Sequence, residues 1–565
     1  MADKIAFISY ETPYAPCGGI AAVMRHLPRH VRAASGLETV VITPYHYKIE
    51  RTTSLKMDEK NREGISLTFE GKRVRVSIHS YRDGDGILWY FIQPEDKRFF
   101  AGEKHPYDVG KTQEEIGRNL KRDALFFGAA AARAVNKIGG ARTRWALAMQ
   151  DWEAATLALG LAGSGSKYKL SLTLHNSYDS GAITASDLLS VGISPIGCPG
   201  PAGSESASVL ERALPLIPGK IFTVSEQFAS DLSEDIFQAK VMAPHLTEAL
   251  SSRLYGIDNG PFAELSVPED ILTEGLQGDY QRLQAWKKEG KEKALQAFAQ
   301  VAPSADAPVW GDSQAFKQEG AVWFVMAGRD DPRQKGYDVA ALAIRKFLER
   351  GGDARFIFFP IPGDEGLEGL GFLKKLAQEY PGHIFAFPFR FVEGLSAALR
   401  GAEYGIMPSL YEPFGMANEF YLKGTVGIGR ATGGILQQIV PLRSAASFSR
   451  AVETRALRWN TASALPTGLL YRESDEIESA INDWQGINHA SYSKAGSTLD
   501  RLEERQRYAL FREMAHELSL CFEDGIRISK KNPALYYHML SDGIIYIQRS
   551  FSWERAANEY LRNLI

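Results

Sequence analysis

The chain has 565 residues, 44% of them hydrophobic, more than a single core accommodates, so two or three domains are expected. With 65 Lys and Arg against 68 Asp and Glu the net charge is −3, which gives no electrostatic basis for binding nucleic acid or an anionic membrane. No apolar run reaches the roughly eighteen residues of a membrane-spanning helix, and Cys17, Cys198 and Cys521 are too few and too far apart for a disulfide framework or a zinc site.

The N-terminal MADKIAFISYE reads as a first strand rather than an apolar leader, so a soluble cytoplasmic α/β protein is expected. Lys4 to Ser9 form that strand, and the loop Tyr14-Ala15-Pro16-Cys17-Gly18-Gly19-Ile20 leads into helical spacing from Ala21 to Ala34. A strand, a Gly-Gly loop and a helix make an anion cradle, because the glycines admit a ligand to the backbone and the helix N-terminus offers donors. Val40 to Pro44 is a second strand. Ile65 to Ile92 is rich in β-branched and aromatic residues, with a turn at Asp83-Gly84-Asp85-Gly86. Leu120 to Val135 is an alanine-rich helix. Trp145 to Met149 then leads as a strand into Gln150-Asp151-Trp152-Glu153-Ala154-Ala155, and Leu170 to Leu174 into His175-Asn176. Ala185 to Gly203, with its Ser, Gly and Pro, reads as a mobile insertion.

Residues from about Phe262 to Gly320 are polar and helix-prone, with Lys287 to Lys293 as a solvated charge run. Ala321 to Ala327 is a buried strand that opens into Gly328-Arg329-Asp330-Asp331-Pro332-Arg333-Gln334-Lys335-Gly336. Arg329 and Lys335 put two cations ahead of a helix, where an anion is favoured, and Arg333 could share that role. Arg355 to Pro360 and His383 to Pro388 are further strands, and the chain is mostly helical from Ile477 onward.

The richest stretch is Met407 to Ile435, MPSLYEPFGMANEFYLKGTVGIGRATGGI. A strand ends near Ser409, and Pro413 and Gly415 turn the chain into a helix from Met416 to Lys423, stopped by Gly424. A second strand, Val426 to Gly429, ends at Arg430, and Ala431-Thr432-Gly433-Gly434-Ile435 enters another helix. Two successive strand-to-helix turns place backbone donors at the edge where open parallel sheets bind ligands. Glu412 on the first turn would repel a phosphate, so it suits sugar hydroxyls or a developing cationic centre.

PSLYEPFGMANEF followed by RATGGI resembles the corresponding segment of bacterial glycogen synthases and plant starch synthases, family 5 of the retaining GT-B glycosyltransferases. The resemblance extends to PCGGIAAV, where that family has KTGGLADV, to QDWEAA for HDWHAG, and to TLHN for TVHN. It continues in the Val224-Ser225 strand end, in YGIDNG for HGILNG, and in Ser550-Phe551-Ser552-Trp553 through Ala556, Ala557 and Tyr560 for the signature of the last helix.

The resemblance implies two Rossmann-like domains facing across a cleft, with a C-terminal helix crossing back. The boundaries would be 1–261 for the acceptor-side domain, 262–320 for a linker, 321–535 for the nucleotide-sugar domain and 536–565 for the crossing helix. It implies Glu412, Arg329 and Lys335 as catalytic residues. Gly18, Gly19, Gly415, Met416, Ala417, Asn418, Glu419, Thr432, Gly433 and Gly434 would bind the donor, with Phe391 either stacked on its base or part of the core. Asp151, Glu153, His175 and Asn176 would lie on the sugar and acceptor side, His175 serving either as a ligand contact or as a buried structural histidine. No metal and no cofactor is expected, since the nucleotide diphosphate sugar is a co-substrate. Retention at the anomeric carbon is likewise implied.

Three residues depart from the family: Pro16 replaces its lysine, Ala22 its aspartate and Glu153 its second histidine. Three functions therefore stand side by side: a glucan synthase extending an α-1,4 chain, a transferase of the same fold acting on another hydroxyl acceptor, and a non-catalytic nucleotide-sugar sensor. Nucleotide base, acceptor and oligomeric state are left open.

Overall fold

The structure, a computed structural model, describes residues 2–564 apart from 53, 54, 56–62, 141, 164–167, 199, 202, 203, 313–319, 462 and 490–499. Part of the expected linker (313–319) and of the expected insertion (199, 202, 203) therefore lies outside the described residues. The chain divides into two compact units, residues 1–260 with 552–565, and residues 261–551.

In the first unit the strands are β1 (Lys4–Ser9), β2 (Glu38–Pro44), β3 (Glu63–Phe69), β4 (Lys72–Arg82), β5 (Leu88–Pro94), β6 (Trp145–Gln150), β7 (Tyr168–Leu174), β8 (Ile183–Thr184), β9 (Ser206–Ala207), β10 (Ile221–Thr223) and β11 (Leu254–Gly256). Nine of them form one sheet in the order β11-β10-β7-β6-β1-β2-β5-β4-β3, and β8 pairs separately with β9. The sheet is parallel from β11 to β5 and antiparallel from β5 to β3. Helices cover both faces of the parallel part, so Ile5, Phe7, Val41, Leu147 and Leu172 are wholly buried and the central strands read as continuous apolar runs. The β-rich stretch from Ile65 to Ile92 spans parts of three strands. Its turn is held by the Asp83 carboxylate, which accepts from the N–H groups of Asp85 and Ile87 and from Trp89 Nε1.

The alanine-rich helix runs from Gln113 to Gly139, longer at both ends than expected. Thr112 caps it by accepting the Glu115 N–H, and Glu114 and Glu115 complement the helix dipole in its first turn. Helix Trp553–Leu564 belongs to this unit. Trp553 stacks on His26 at 5.2 Å, and the Tyr560 hydroxyl meets Thr173 Oγ1 at 3.0 Å. Only this last piece of the expected 536–565 element joins the first unit. Helix Pro533–Ser550 stays with the second, because the chain breaks helical geometry at extended Phe551.

The second unit carries β12 (Trp323–Arg329), β13 (Arg355–Ile361), β14 (Ile384–Ala386), β15 (Tyr404–Met407), β16 (Val426–Arg430) and β17 (Leu469–Tyr471) in one parallel sheet ordered β14-β13-β12-β15-β16-β17. Behind the β12 edge four charged side chains are buried together. Arg501 pairs with Asp330 at 2.8 Å and Arg505 with Asp338 at 2.5 Å.

The segment expected as a linker contains helix Gln281–Gln300, which packs against helix Val392–Gly401 within this unit. Gly290 and Gly401 face each other so closely that a Cβ on either would strike the opposing backbone at under 3 Å. Lys287, expected in a solvated run, is instead 3% exposed. Its Nζ donates to the carbonyls of Arg400, Ala402 and Gly424 at 3.3, 2.7 and 2.5 Å, so the end of one helix and the cap of another are satisfied by one ammonium. Burial lowers this amine to about 7. The correction is physical: a charge run shows which residues are polar, but not that one of them faces three orphan carbonyls. Lys287→Ala is expected to destabilise the second unit by about 2–4 kcal/mol in denaturant unfolding, since three buried acceptors lose their donor.

Candidate active site

At the carboxyl end of the second sheet, the loops after β12 and β15 meet. Gly336 adopts φ 69°, and a Cβ there would lie 2.2 Å from the Pro408 carbonyl oxygen, so glycine is required for the two loops to touch. The Leu410 N–H donates to the Gln334 carbonyl at 2.7 Å across the same seam. This brings Lys335 Nζ to 2.7 Å from Glu412 Oε2, with Gln334 Nε2 on Oε1 at 3.2 Å and Ser409 Oγ on Oε2 at 3.0 Å. Glu412 is buried while the Lys335 side chain keeps 27% of its exposure, so the pair lies at the surface of the edge with its cation outward. Arg329, at the end of β12, pairs with Asp364 Oδ1 at 2.6 Å, and both remain about a third exposed.

The turn after β16 supports this arrangement from below. Gly433 has φ 46°, and a Cβ there would fall 1.6 Å from the Glu412 carbonyl oxygen. The Gly434 N–H donates to that same oxygen at 3.0 Å. Arg430 is buried with its Nε 2.8 Å from Glu473 Oε2 and its Nη1 2.6 Å from the Leu410 carbonyl, so it holds the loop after β15 by its main chain. Burial alone would raise the Glu473 carboxyl, but Arg430 and Arg472 bring it down to about 2.

Several expected donor contacts are accordingly internal. Asn418 is fully buried; its Nδ2 donates to Gln438 Oε1 at 2.8 Å and to the Gly415 carbonyl at 3.0 Å, and its N–H also goes to Gln438. Ala417, Thr432, Gly433 and Gly434 are buried too. These residues shape the turn, because close approach of two backbones requires small side chains and filled donors there. Gly415, Met416 and Glu419 remain partly exposed. Burial raises Glu419 to about 7, against the pull of Lys423 and Lys335. Phe391 is half-buried on a phenylalanine cluster, 5.2 Å from Phe387 and 5.8 Å from Phe389.

The first sheet has its own polar edge, where the loops after the adjacent strands β1, β6 and β7 come together. Asp151 takes φ 65°, a left-handed conformation uncommon outside glycine, asparagine and aspartate. Its carboxylate accepts the His175 N–H at 2.9 Å and Asn176 Nδ2 at 3.0 Å. His175 is buried, its Nε2 2.9 Å from Gln150 Oε1, and burial lowers its imidazole to about 3. Of its two open roles the geometry matches the structural one. Glu153 is 4% exposed and its Oε2 has no hydrogen-bond partner among the described residues. Burial first, then the Asp151 carboxylate, raises it well above the ordinary range.

The Gly-Gly cradle differs from expectation. Gly18 and Gly19 are exposed at the start of helix Gly19–Ser35, but the Gly18 N–H donates to Glu11 Oε1 at 2.5 Å, joined by those of Cys17 at 3.0 Å and Ala21 at 3.2 Å. A buried carboxylate of the chain already fills the helix N-terminus, as the dipole favours. Sequence reasoning also passed over Gln334, Ser409, Asp364, Asp179 and His245. A glutamate seven residues before a Gly-Gly turn was the available signal for Glu11. No signal linked Asp179 to His245, 66 residues apart and 3.0 Å from Nε2 to Oδ2.

Residues 4–247 match the family model described as the starch synthase catalytic domain, and residues 281–419 match that of a family 4 glycosyltransferase in conflict systems. Among curated proteins, the glycogen synthase of Kosmotoga olearia is 26% identical, covering 76% of this chain and 82% of its own. That of Thermosipho africanus is 25% identical over 77% and 85%. Among solved structures, the catalytic domain of starch synthase IV from Arabidopsis thaliana, bound to ADP and acarbose, superposes with a TM-score of 0.60 at 18% identity, covering 96% of this chain and 99% of that one. Sucrose-phosphate synthase from Thermosynechococcus elongatus follows at a TM-score of 0.50 and 14% identity, over 99% and 98%. The chain thus has the GT-B fold and resembles the glycogen and starch synthases along most of its length.

Gly433→Ala should collapse the second unit's edge. A methyl group cannot coexist with the Glu412 carbonyl, and the left-handed φ adds strain, so a loss of about 3 kcal/mol or more is expected in unfolding, together with loss of donor binding.

Proposed function

We propose that the chain is a retaining glucosyltransferase that moves glucose from a nucleotide diphosphate sugar to an α-1,4-glucan, as its likeness to glycogen synthases suggests. The observation that carries this reading is the pairing of Lys335 with Glu412 at the carboxyl edge of the second sheet, beside Arg329.

In this proposal the second unit takes the donor. Arg329 and Lys335 neutralise the charge that grows on the departing diphosphate, and each must exchange its carboxylate partner for phosphate oxygen. Glu412, released from Lys335, faces the sugar and stabilises the oxocarbenium-like centre. The leaving phosphate oxygen then accepts the proton of the attacking hydroxyl on the same face, which accounts for retention. Asp330 is engaged by Arg501, and this reading gives the Asp330-Asp331 pair no direct role at the diphosphate. Partly exposed Gly415, Met416 and Glu419 are the donor contacts of the turn, while Asn418, Thr432, Gly433 and Gly434 position it.

The first test is release of nucleoside diphosphate from ADP-, UDP- and GDP-glucose with and without glycogen. Release from one donor that rises with glycogen is expected, and Arg329→Ala and Glu412→Ala should each lower kcat by about 10²–10³-fold. Release indifferent to glycogen would overturn the glucan acceptor, and silence with every donor would overturn the transferase.

A second prediction concerns pH. The Glu419 carboxyl ionises near 7. Above that pH its negative charge competes with the diphosphate for Lys335, so KM for the donor should rise between pH 6.5 and 8.5. Glu419→Gln should flatten that rise; an unchanged profile in the variant would remove Glu419 from the donor site.

A further inference from the structure

Arg329 and Lys335 stand six residues apart on one loop, and the bonds within that loop shape it without fixing where it sits. The Gln334 and Lys335 N–H groups donate to the Asp331 carbonyl at 3.0 and 2.9 Å, and the Arg333 N–H to Asp331 Oδ1 at 2.9 Å. The Asp330 N–H ties the loop outward to the Ile361 carbonyl at 2.8 Å. A further hold comes from helix Arg501–Arg505, 167 to 173 positions along the chain.

Arg501 and Arg505, four positions apart on that helix, share one face and reach the loop at three points. Arg501 grips Asp330 with both arms of its fork, Nη2 on Oδ1 at 2.8 Å and Nη1 on Oδ2 at 3.2 Å. Arg505 donates to the Pro332 carbonyl and to Asp338 Oδ2, in the first turn of helix Tyr337–Glu349. The three points, at 330, 332 and 338, bracket both Arg329 and Lys335. The short helix is itself braced. Asp500 caps it by accepting the Leu502 N–H at 2.9 Å and pairs with Lys375 at 3.2 Å, and the Arg501 guanidinium lies over the Phe372 ring at 4.9 Å.

These two guanidiniums and two carboxylates, none more than 4% exposed, sum to zero charge. Stability does not account for them, since a buried set of ion pairs is often matched or bettered by apolar side chains of the same volume. Attraction for an anion does not account for them either, because Asp330 and Asp338 place negative charge on the same loop as Arg329 and Lys335. What the quartet adds is direction. A bidentate fork fixes a backbone as neither an apolar contact nor a lysine does, and two cations that meet one diphosphate must be held in place before it arrives.

We propose that Arg501 and Arg505 are positioning residues for the donor: they hold the loop of Arg329 and Lys335 in the one placement that presents both cations to the same diphosphate. This rests on the function proposed above and assigns control of its cationic loop to a helix that touches no substrate. Neither arginine takes part in a covalent step.

The test is calorimetric titration of the full chain with ADP, UDP and GDP, for wild type, Asp330→Asn and Arg501→Lys, with circular dichroism run beside it. Charge and position make opposite demands on the first variant. Asp330→Asn removes a negative charge from a cationic loop, so Coulomb attraction alone would tighten the diphosphate. Loss of the fork should instead weaken it by about tenfold, the worth of one charge-assisted hydrogen bond. Arg501→Lys keeps every charge but not the fork, and should weaken it by about fivefold. Binding equal to wild type in both variants, or tighter in Asp330→Asn, with the wild-type spectrum retained, would overturn the proposal and leave the transferase reading intact. Failure of both variants to fold would make the quartet a stability element and overturn it too. Wild-type binding of a diphosphate without any glucose transfer would fail the transferase reading and leave this result standing, and binding of none of the three would fail both.

Discussion

The main-chain carbonyl of Glu412 rests against Gly433 and accepts the Gly434 N–H, and the organisation of the second unit's edge depends on that contact. Two backbones approach more closely than any side chain allows. The loop after β15 is thereby pressed down, and Arg430 beneath it holds the Leu410 carbonyl from the other side. With the main chain held at both Leu410 and Glu412, the Glu412 carboxylate meets Lys335, Gln334 and Ser409. The ion pair is a result of backbone geometry more than of charge attraction, since a partly exposed pair is worth little by itself.

The two sheets handle charge differently at their carboxyl edges. In the second unit cations stand outward, Lys335 held by Glu412 and Arg329 by Asp364. In the first unit acids predominate, and each is answered by backbone or side-chain donors except Glu153. Glu11 shows how complete that internal matching is: the helix N-terminus that a Gly-Gly turn normally offers to a ligand is taken by the chain's own carboxylate. For Glu11, Asp151 and Glu153 burial raises the carboxyl more than the hydrogen bonds lower it. In the proposed function the cationic edge takes the diphosphate and the acidic edge the neutral saccharide. Both agree with a sugar-nucleotide transferase.

Much of this was legible in the residues. The strands from Lys4, Trp145 and Val426, the helix ending at Gly424 and the turn glycines follow from apolar runs and turn chemistry, which are local. The placing of Arg329, Lys335 and Glu412 on loops that follow strands was legible from motif spacing, whereas the contact of Lys335 with Glu412 came from the fold. Lys287 was not, since its three carbonyl partners come from residues more than a hundred positions away. The helix from Gln113 was read short because its cap lies outside the apolar stripe. Asn418 and Gly434 were read as ligand contacts because a motif records which residues a turn contains, without saying whether their donors face outward or inward.

By itself the sequence determined two α/β units with parallel sheets, a cationic loop and a glutamate turn, because periodicity, glycine placement and residue chemistry act over a few neighbouring positions. Only the tertiary structure decided which polar groups are answered inside the protein. It joined Glu11 to the first helix, Asp330 to Arg501 and Asp179 to His245, and left one oxygen of Glu153 without a partner among the described residues. Hydrogen bonding and desolvation depend on what stands within about 3 Å in space, and distance along the chain carries no record of that.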